Sequence, residues 1–149
     1  MNKIEQQLKR FEKLDVWLII KNVIEQNEDF LVGLIRGQLW KGEDKDGRTP
    51  KYSRSPMVQN YIQRKLDQGK IESSTLPYMN LYDTGAFQKA IEVQVKDKYV
   101  EILSRDSKSE KLQDKYGTEI LEPNEERMTN LINFILPKLQ EKLRKQLGY

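Results

Sequence analysis

The stretch Ile91-Glu92-Val93-Gln94-Val95-Lys96-Asp97-Lys98-Tyr99-Val100-Glu101-Ile102-Leu103 alternates apolar and polar residues on both sides of Asp97-Lys98. Ile91, Val93 and Val95 fall on one face, and Glu92, Gln94 and Lys96 on the other. Beyond Asp97-Lys98, Val100 and Ile102 stand opposite Tyr99, Glu101 and Leu103. Strand side chains point to alternate faces, so a period of two predicts a half-buried antiparallel hairpin, 91–96 with 99–103, joined by a two-residue turn. Just upstream, Leu81-Tyr82-Asp83-Thr84-Gly85-Ala86-Phe87-Gln88-Lys89-Ala90 reads as a corner at Thr84-Gly85 followed by a short helix. Asp83 or Thr84 is the expected cap of that helix, and Gly85 is expected to end a turn or allow close approach of backbone. Phe87 extends the buried face of Ile91, Val93 and Val95. Downstream, Ser107 to Tyr116 reads as a short helix closed by Gly117, a second corner at Tyr116-Gly117.

Helices are expected on both flanks of the hairpin. Ile4, Leu8, Phe11 and Leu14 recur at helical spacing, and Val23, Ile24, Phe30, Leu31, Leu34 and Ile35 continue an apolar face. Residues 1–36 therefore form a helical segment, expected in two pieces, with Asn27-Glu28-Asp29 as a break or new cap. Val16 to Ile20 is apolar all round and is expected to be enclosed by the fold or by a partner. A second helix opens with Ser55 as N-cap and Pro56 in the first turn, carries Val58, Tyr61, Ile62 and Leu66, and stops at Gly69. The last helix starts at Asn124 and carries Met128, Leu131, Ile132, Ile135, Leu139 and Leu143, with a kink expected at Pro137. The fold class is α+β: a small antiparallel sheet packed with long N- and C-terminal helices. One domain spans 1–149, with a helical segment at 1–36, a hairpin arm at 38–53, and the sheet and C-terminal helix at 81–147.

The arm is expected between Gln38 and Ser53. Gly42 and Gly47, with acidic residues between them, mark a reversal, and Leu39-Trp40 and Thr49 to Tyr52 are its expected strands. Asp44-x-Asp46-Gly47 resembles the start of a calcium loop but lacks the further oxygen ligands and the closing Glu, so no metal is expected there.

Composition narrows the chemistry. The 149 residues include no histidine and no cysteine. That excludes the usual Ser or Cys triads, thiolate zinc sites and the commonest general base. No Gly-rich phosphate loop is present. No enzyme, cofactor or metal is expected. Charged residues make up 33% of the chain, above the ~25% of an average domain, which fits a thin core and much solvated or partner-facing surface. The net charge of +3 comes from 26 basic and 23 acidic residues intermixed along the chain. The densest basic segment, Lys138 to Lys145 with four Lys or Arg and one Glu, reads as the solvated basic end of a helix, which makes a nucleic-acid-binding or regulatory protein the second reading rather than the first. The longest apolar run, Val16 to Ile20, is far shorter than a membrane span of ~20 residues. The start, Met1 to Glu5, does not read as a secretion signal.

Three short motifs stand in order along the chain. They are Gln38-Leu39-x-x-Gly42-x-Asp44-x-x-Gly47 with Tyr52-Ser53, then Leu81-Tyr82-Asp83-Thr84-Gly85-Ala86-Phe87, then Lys115-Tyr116-Gly117. Together they resemble the small virion proteins of tailed bacteriophages: neck, head–tail connector and tail-completion or minor tail proteins. In those proteins a Thr-Gly motif precedes a β-hairpin and a Tyr-Gly or Phe-Gly follows it. The likeness spans roughly residues 38 to 147; Ala86 and Ala90 are smaller than that pattern favours. The resemblance implies a non-enzymatic ring oligomer that meets portal, neck and tail proteins. It also implies a place in the virion after synthesis in the host cytoplasm; the positive net charge allows non-specific contact with channel DNA, and no membrane contact is expected. Its structural and assembly residues are Gln38, Leu39, Gly42, Gly47, Tyr52, Thr84, Gly85, Phe87, Tyr116 and Gly117.

Overall fold

A computed structural model describes residues 2–148. Among them, seven α-helices and one two-stranded sheet follow one another as α1 (Lys3–Glu12), α2 (Val16–Gln26), α3 (Glu28–Trp40), α4 (Pro56–Asp67), α5 (Ala86–Lys89), β1 (Ile91–Val95), β2 (Val100–Ser104), α6 (Ser109–Tyr116) and α7 (Glu125–Leu147). The molecule is mostly helical, with an antiparallel hairpin packed against helices that include the long C-terminal α7.

The hairpin forms where the alternation predicts it. Val95 pairs with Val100, Val93 with Ile102 and Ile91 with Ser104. The Lys96 amide donates to the Tyr99 carbonyl at 2.9 Å, which leaves Asp97 and Lys98 as the turn. Ile91 and Val93 are buried, and their strand packs against α2 and α3. The core is completed by Val23, Leu31, Ile35 and Leu39 from the N-terminal helices, Phe87 from α5, Ile120 and Leu121 from a 3-10 turn at Thr118–Leu121, and Ile135 from α7. Phe30 and Phe134 stack with ring centroids 3.7 Å apart and join α3 to α7.

Helix ends follow the expected chemistry in several places. Ser55 accepts from the Val58 amide and Pro56 occupies the first turn of α4. Asn124 accepts from the Arg127 amide at 2.9 Å, satisfying a donor that has no partner inside α7. α7 runs through Pro137, an exposed residue, so the carbonyl of Asn133 that loses its donor lies on the solvent side.

Four expectations are corrected. The N-terminal segment forms three helices rather than two pieces, because Asp15 caps α2 as a separate element through the Leu18 amide at 3.0 Å and a further break falls at Asn27. Val16 to Ile20 is not enclosed by its own chain: Ile19 is 2% exposed, but Val16 and Leu18 are 49% and 50% exposed. The helix at α5 is capped by neither Asp83 nor Thr84. Gly85 occupies the N-cap position at φ +88°, and the Thr84 hydroxyl accepts from the Ala86 amide at 3.2 Å.

The fourth correction concerns the arm at 38–53. Gln38, Leu39 and Trp40 are the last turn of α3, so the first expected strand is helical. Lys41 to Gly47 does reverse the chain, but residues 50–52 then run beside 77–79 rather than beside Leu39-Trp40. The Tyr52 amide donates to the Pro77 carbonyl at 2.9 Å and the Met79 amide to the Pro50 carbonyl at 3.0 Å. The segment lies against the body. A Cβ on Gly42 would come within 2.9 Å of both Thr75 and Tyr78, an approach that only glycine permits.

Candidate functional site

The three motifs fold toward two places. The first is a cavity of about 420 Å³ between α4, the 79–87 segment and α6. Tyr52, Thr84, Gly85, Phe87 and Tyr116 all line it, so residues up to 64 positions apart meet at one wall. Gln38, Leu39, Gly42, Gly47 and Gly117 do not line it.

At the back of this cavity stands Lys65, a residue that sequence reasoning missed. It is only 2% exposed. Its ammonium donates to Tyr52 Oη at 2.9 Å and to Asn80 Oδ1 at 2.6 Å, and it lies 5.5 Å from the ring centroids of both Tyr52 and Tyr61. Asn80, fully buried, is the hub. Its Oδ1 also accepts from the Tyr82 amide at 3.2 Å, its Nδ2 donates to the Lys70 carbonyl at 2.7 Å, and its own carbonyl accepts from Gln88 Nε2 at 2.7 Å. One residue, through its side chain and its carbonyl, thus ties α4, the loop after it and α5 together. Among the described residues no buried side-chain polar atom is left without a partner. A signal for Lys65 did exist: it sits four residues after Tyr61 and three after Ile62, on the apolar stripe of α4.

Burial shifts the titration of this cluster. Desolvation lowers the Lys65 amine to about 8 against a smaller opposing pull from Asp83. Burial raises the Tyr52 phenol strongly, and burial followed by the Asp83 carboxylate raises Tyr61. These shifts fix how stability responds to pH. Between about pH 8 and the ordinary lysine range near 10.4 the unfolded chain holds a proton on Lys65 that the folded chain has released. Stability therefore rises with pH through that window. Tyr52 and Tyr61 act oppositely from about pH 10, where the unfolded chain ionises its tyrosines before the folded one. The expected result is a denaturation midpoint that climbs from pH 8 to about 10 and then falls, with Lys65→Met abolishing the climb. Urea titrations across that range in both proteins check it.

The second place is the junction of α3 with the start of α7. Gln38, fully buried, donates from Nε2 to the Glu122 carbonyl at 2.7 Å and accepts at Oε1 from the Asn124 amide at 2.8 Å. Arg127 is buried there and pairs with Glu43 at 3.7 Å and Glu126 at 3.1 Å. Asp44 closes a local turn here. Its Oδ1 accepts from the Asp46 amide at 2.9 Å, and burial raises its carboxyl. Among the described residues no group of three or more Asp, Glu, His or Cys is placed to hold a metal.

A different kind of feature lies outside the motifs. α1 is amphipathic, yet none of its residues is buried. Ile4, Leu8 and Phe11 form one stripe and are 72%, 57% and 64% exposed. The helix rests on the far end of α7, where Arg10 Nη1 donates to the Leu147 carbonyl at 3.1 Å. A second uncovered stripe, Met128, Ile132 and Leu136, runs along the first half of α7. Among the described residues no helix is long and apolar enough to cross a membrane. No family model, curated protein or solved structure matches this chain.

Proposed function

We propose that the chain is a non-enzymatic structural subunit of a tailed-bacteriophage virion, working as a ring in the neck, at the head–tail connector, or in the upper tail. The observation that carries this reading is α1, a helix with an apolar stripe that its own chain does not cover. Apolar surface contributes about 25 cal/mol per Å² when removed from water, and contiguous exposed stripes mark association sites. The order of the three motifs around the hairpin supports the same reading. The remaining partners are portal, neck and tail proteins, with sequence-independent contact between surface Lys or Arg and channel DNA. Made in the host cytoplasm, the subunit ends in the particle, where its role is mechanical: it adapts one symmetric surface to the next and keeps the channel continuous.

The test is to purify particles and locate the protein by mass spectrometry and cryo-EM. It is expected in a ring at the head–tail junction. Absence from particles, or a salt-sensitive and sequence-specific DNA complex formed by a monomer, sinks this reading in favour of a nucleic-acid-binding protein. A triple variant, Ile4→Gln with Leu8→Gln and Phe11→Gln, separates assembly from folding. These side chains are largely solvated already, so each change costs no more than about 0.5 kcal/mol of stability. The expected outcome is a near-wild-type melting curve and loss of incorporation into particles.

A further inference from the structure

We propose that α1 of one copy docks on the first half of α7, residues 128–136, of a second copy, in a head-to-tail contact. The inference rests on the ring reading above and names the two faces that meet. Both stripes are uncovered in the single chain. They also match in length: at 1.5 Å per residue, Ile4 to Phe11 spans about 10 Å and Met128 to Leu136 about 12 Å. They cannot cover each other within one chain. α1 is anchored at Leu147, about 22 Å along α7 from Ile132 at the same rise.

Charge favours the second copy over the first. α1 carries Lys3, Lys9 and Arg10 against Glu5 and Glu12. The half of α7 on which it rests in its own chain carries Lys138, Lys142, Arg144 and Lys145 against Glu141 alone, a net charge of +3. The first half carries Glu125 and Glu126, and its one cation, Arg127, is buried against Glu43 and Glu126. The net charges, +1 on α1 and −1 on residues 125–136, are of opposite sign, and each segment carries an exposed apolar stripe. Two different surfaces in contact make a heterologous interface, which builds a ring when the rotation closes. Three apolar side chains on each side are far fewer than the roughly 20–30 residues a side of a stable pairwise interface. One contact alone is weak, and it persists where each copy is held on both sides in a closed ring.

The absence of cysteine gives a clean test. Leu8→Cys and Ile132→Cys are made as separate proteins, mixed at high concentration and oxidised. Any mixed disulfide is then intermolecular by construction. The expected product is a mixed dimer in several-fold excess over either homodimer, with a yield that falls as salt is raised or when Glu125→Lys is added to the Ile132→Cys protein. Phe11→Cys with Leu136→Cys is a second pair, for use if either first variant folds poorly. Equal homodimer formation by Leu8→Cys alone overturns the proposal in favour of symmetric pairing, and so does the absence of any mixed product from both pairs. A protein found at the head–tail junction without mixed product leaves the ring reading standing and removes this contact. Mixed product from a protein absent from particles does the reverse.

Discussion

Asn80→Ala is expected to lower unfolding stability by about 3–5 kcal/mol, the cost of breaking a buried, charge-bearing hydrogen-bond network. The substitution removes the Oδ1 that accepts from Lys65 Nζ and from the Tyr82 amide, and the Nδ2 that donates to the Lys70 carbonyl. The buried ammonium keeps only Tyr52 Oη. A domain of this size is stable by about 5–15 kcal/mol, so the variant loses about a fifth of that or more. Asn80→Asp is the informative companion. It restores an acceptor, now charged, for Lys65 and the Tyr82 amide, but leaves the Lys70 carbonyl without its donor. Its loss is expected to be smaller than that of Asn80→Ala. Equal losses in the two variants, measured by urea denaturation at pH 7, show that the Lys65 contact contributes little.

Gly85→Val is the second large effect. Gly85 has φ +88°, a conformation costing about 1–3 kcal/mol for a residue with a side chain. A Cβ there would also stand 2.7 Å from Tyr82 Oη and 2.8 Å from Cζ. Tyr82 cannot turn aside freely, because its ring meets the Trp40 ring edge-on with centroids 5.4 Å apart. Strain and overlap together are expected to remove about 2–4 kcal/mol, with Gly85→Ala losing less. Tyr82→Leu introduced beside Gly85→Ala separates the two causes in a double-mutant cycle. The overlap is relieved by the smaller neighbour and the backbone strain is not. Wild-type thermal stability in Gly85→Val shows that the position is incidental.

What the sequence made legible is what local chemistry decides. The hairpin is visible because Ile91, Val93, Val95, Val100 and Ile102 keep a period of two around a short turn. The starts of α4 and α7 are visible because Ser55 and Asn124 supply the oxygen that a helix start requires. Gly85 is visible as a special position, although what approaches it is the Tyr82 side chain rather than backbone.

The misses share a cause: they depend on partners distant in the chain. Leu39 and Trp40 suit a strand or a helix end equally well, and only the rest of α3 makes them helical. Residues 50–52 take their backbone partners from 77–79, across an intervening helix, which no local pattern announces. Lys65 reads as a solvated charge until Tyr52 and Asn80 arrive from either side of it. The candidate assembly surface is half legible: the periodicity of Ile4, Leu8 and Phe11 announces an apolar face, but not that the chain leaves it open.

The lateness of α7 in the chain has a consequence for biosynthesis. α2 and α3 bury their apolar faces partly against α7, through contacts such as Phe30 on Phe134. α3 ends at Trp40 and α7 begins at Glu125. At 5–20 residues per second, a ribosome needs about 4–17 s to bridge that interval. For that time the nascent N-terminal helices lack the cover that α7 supplies, a substrate for chaperones and a hazard on crowded polysomes.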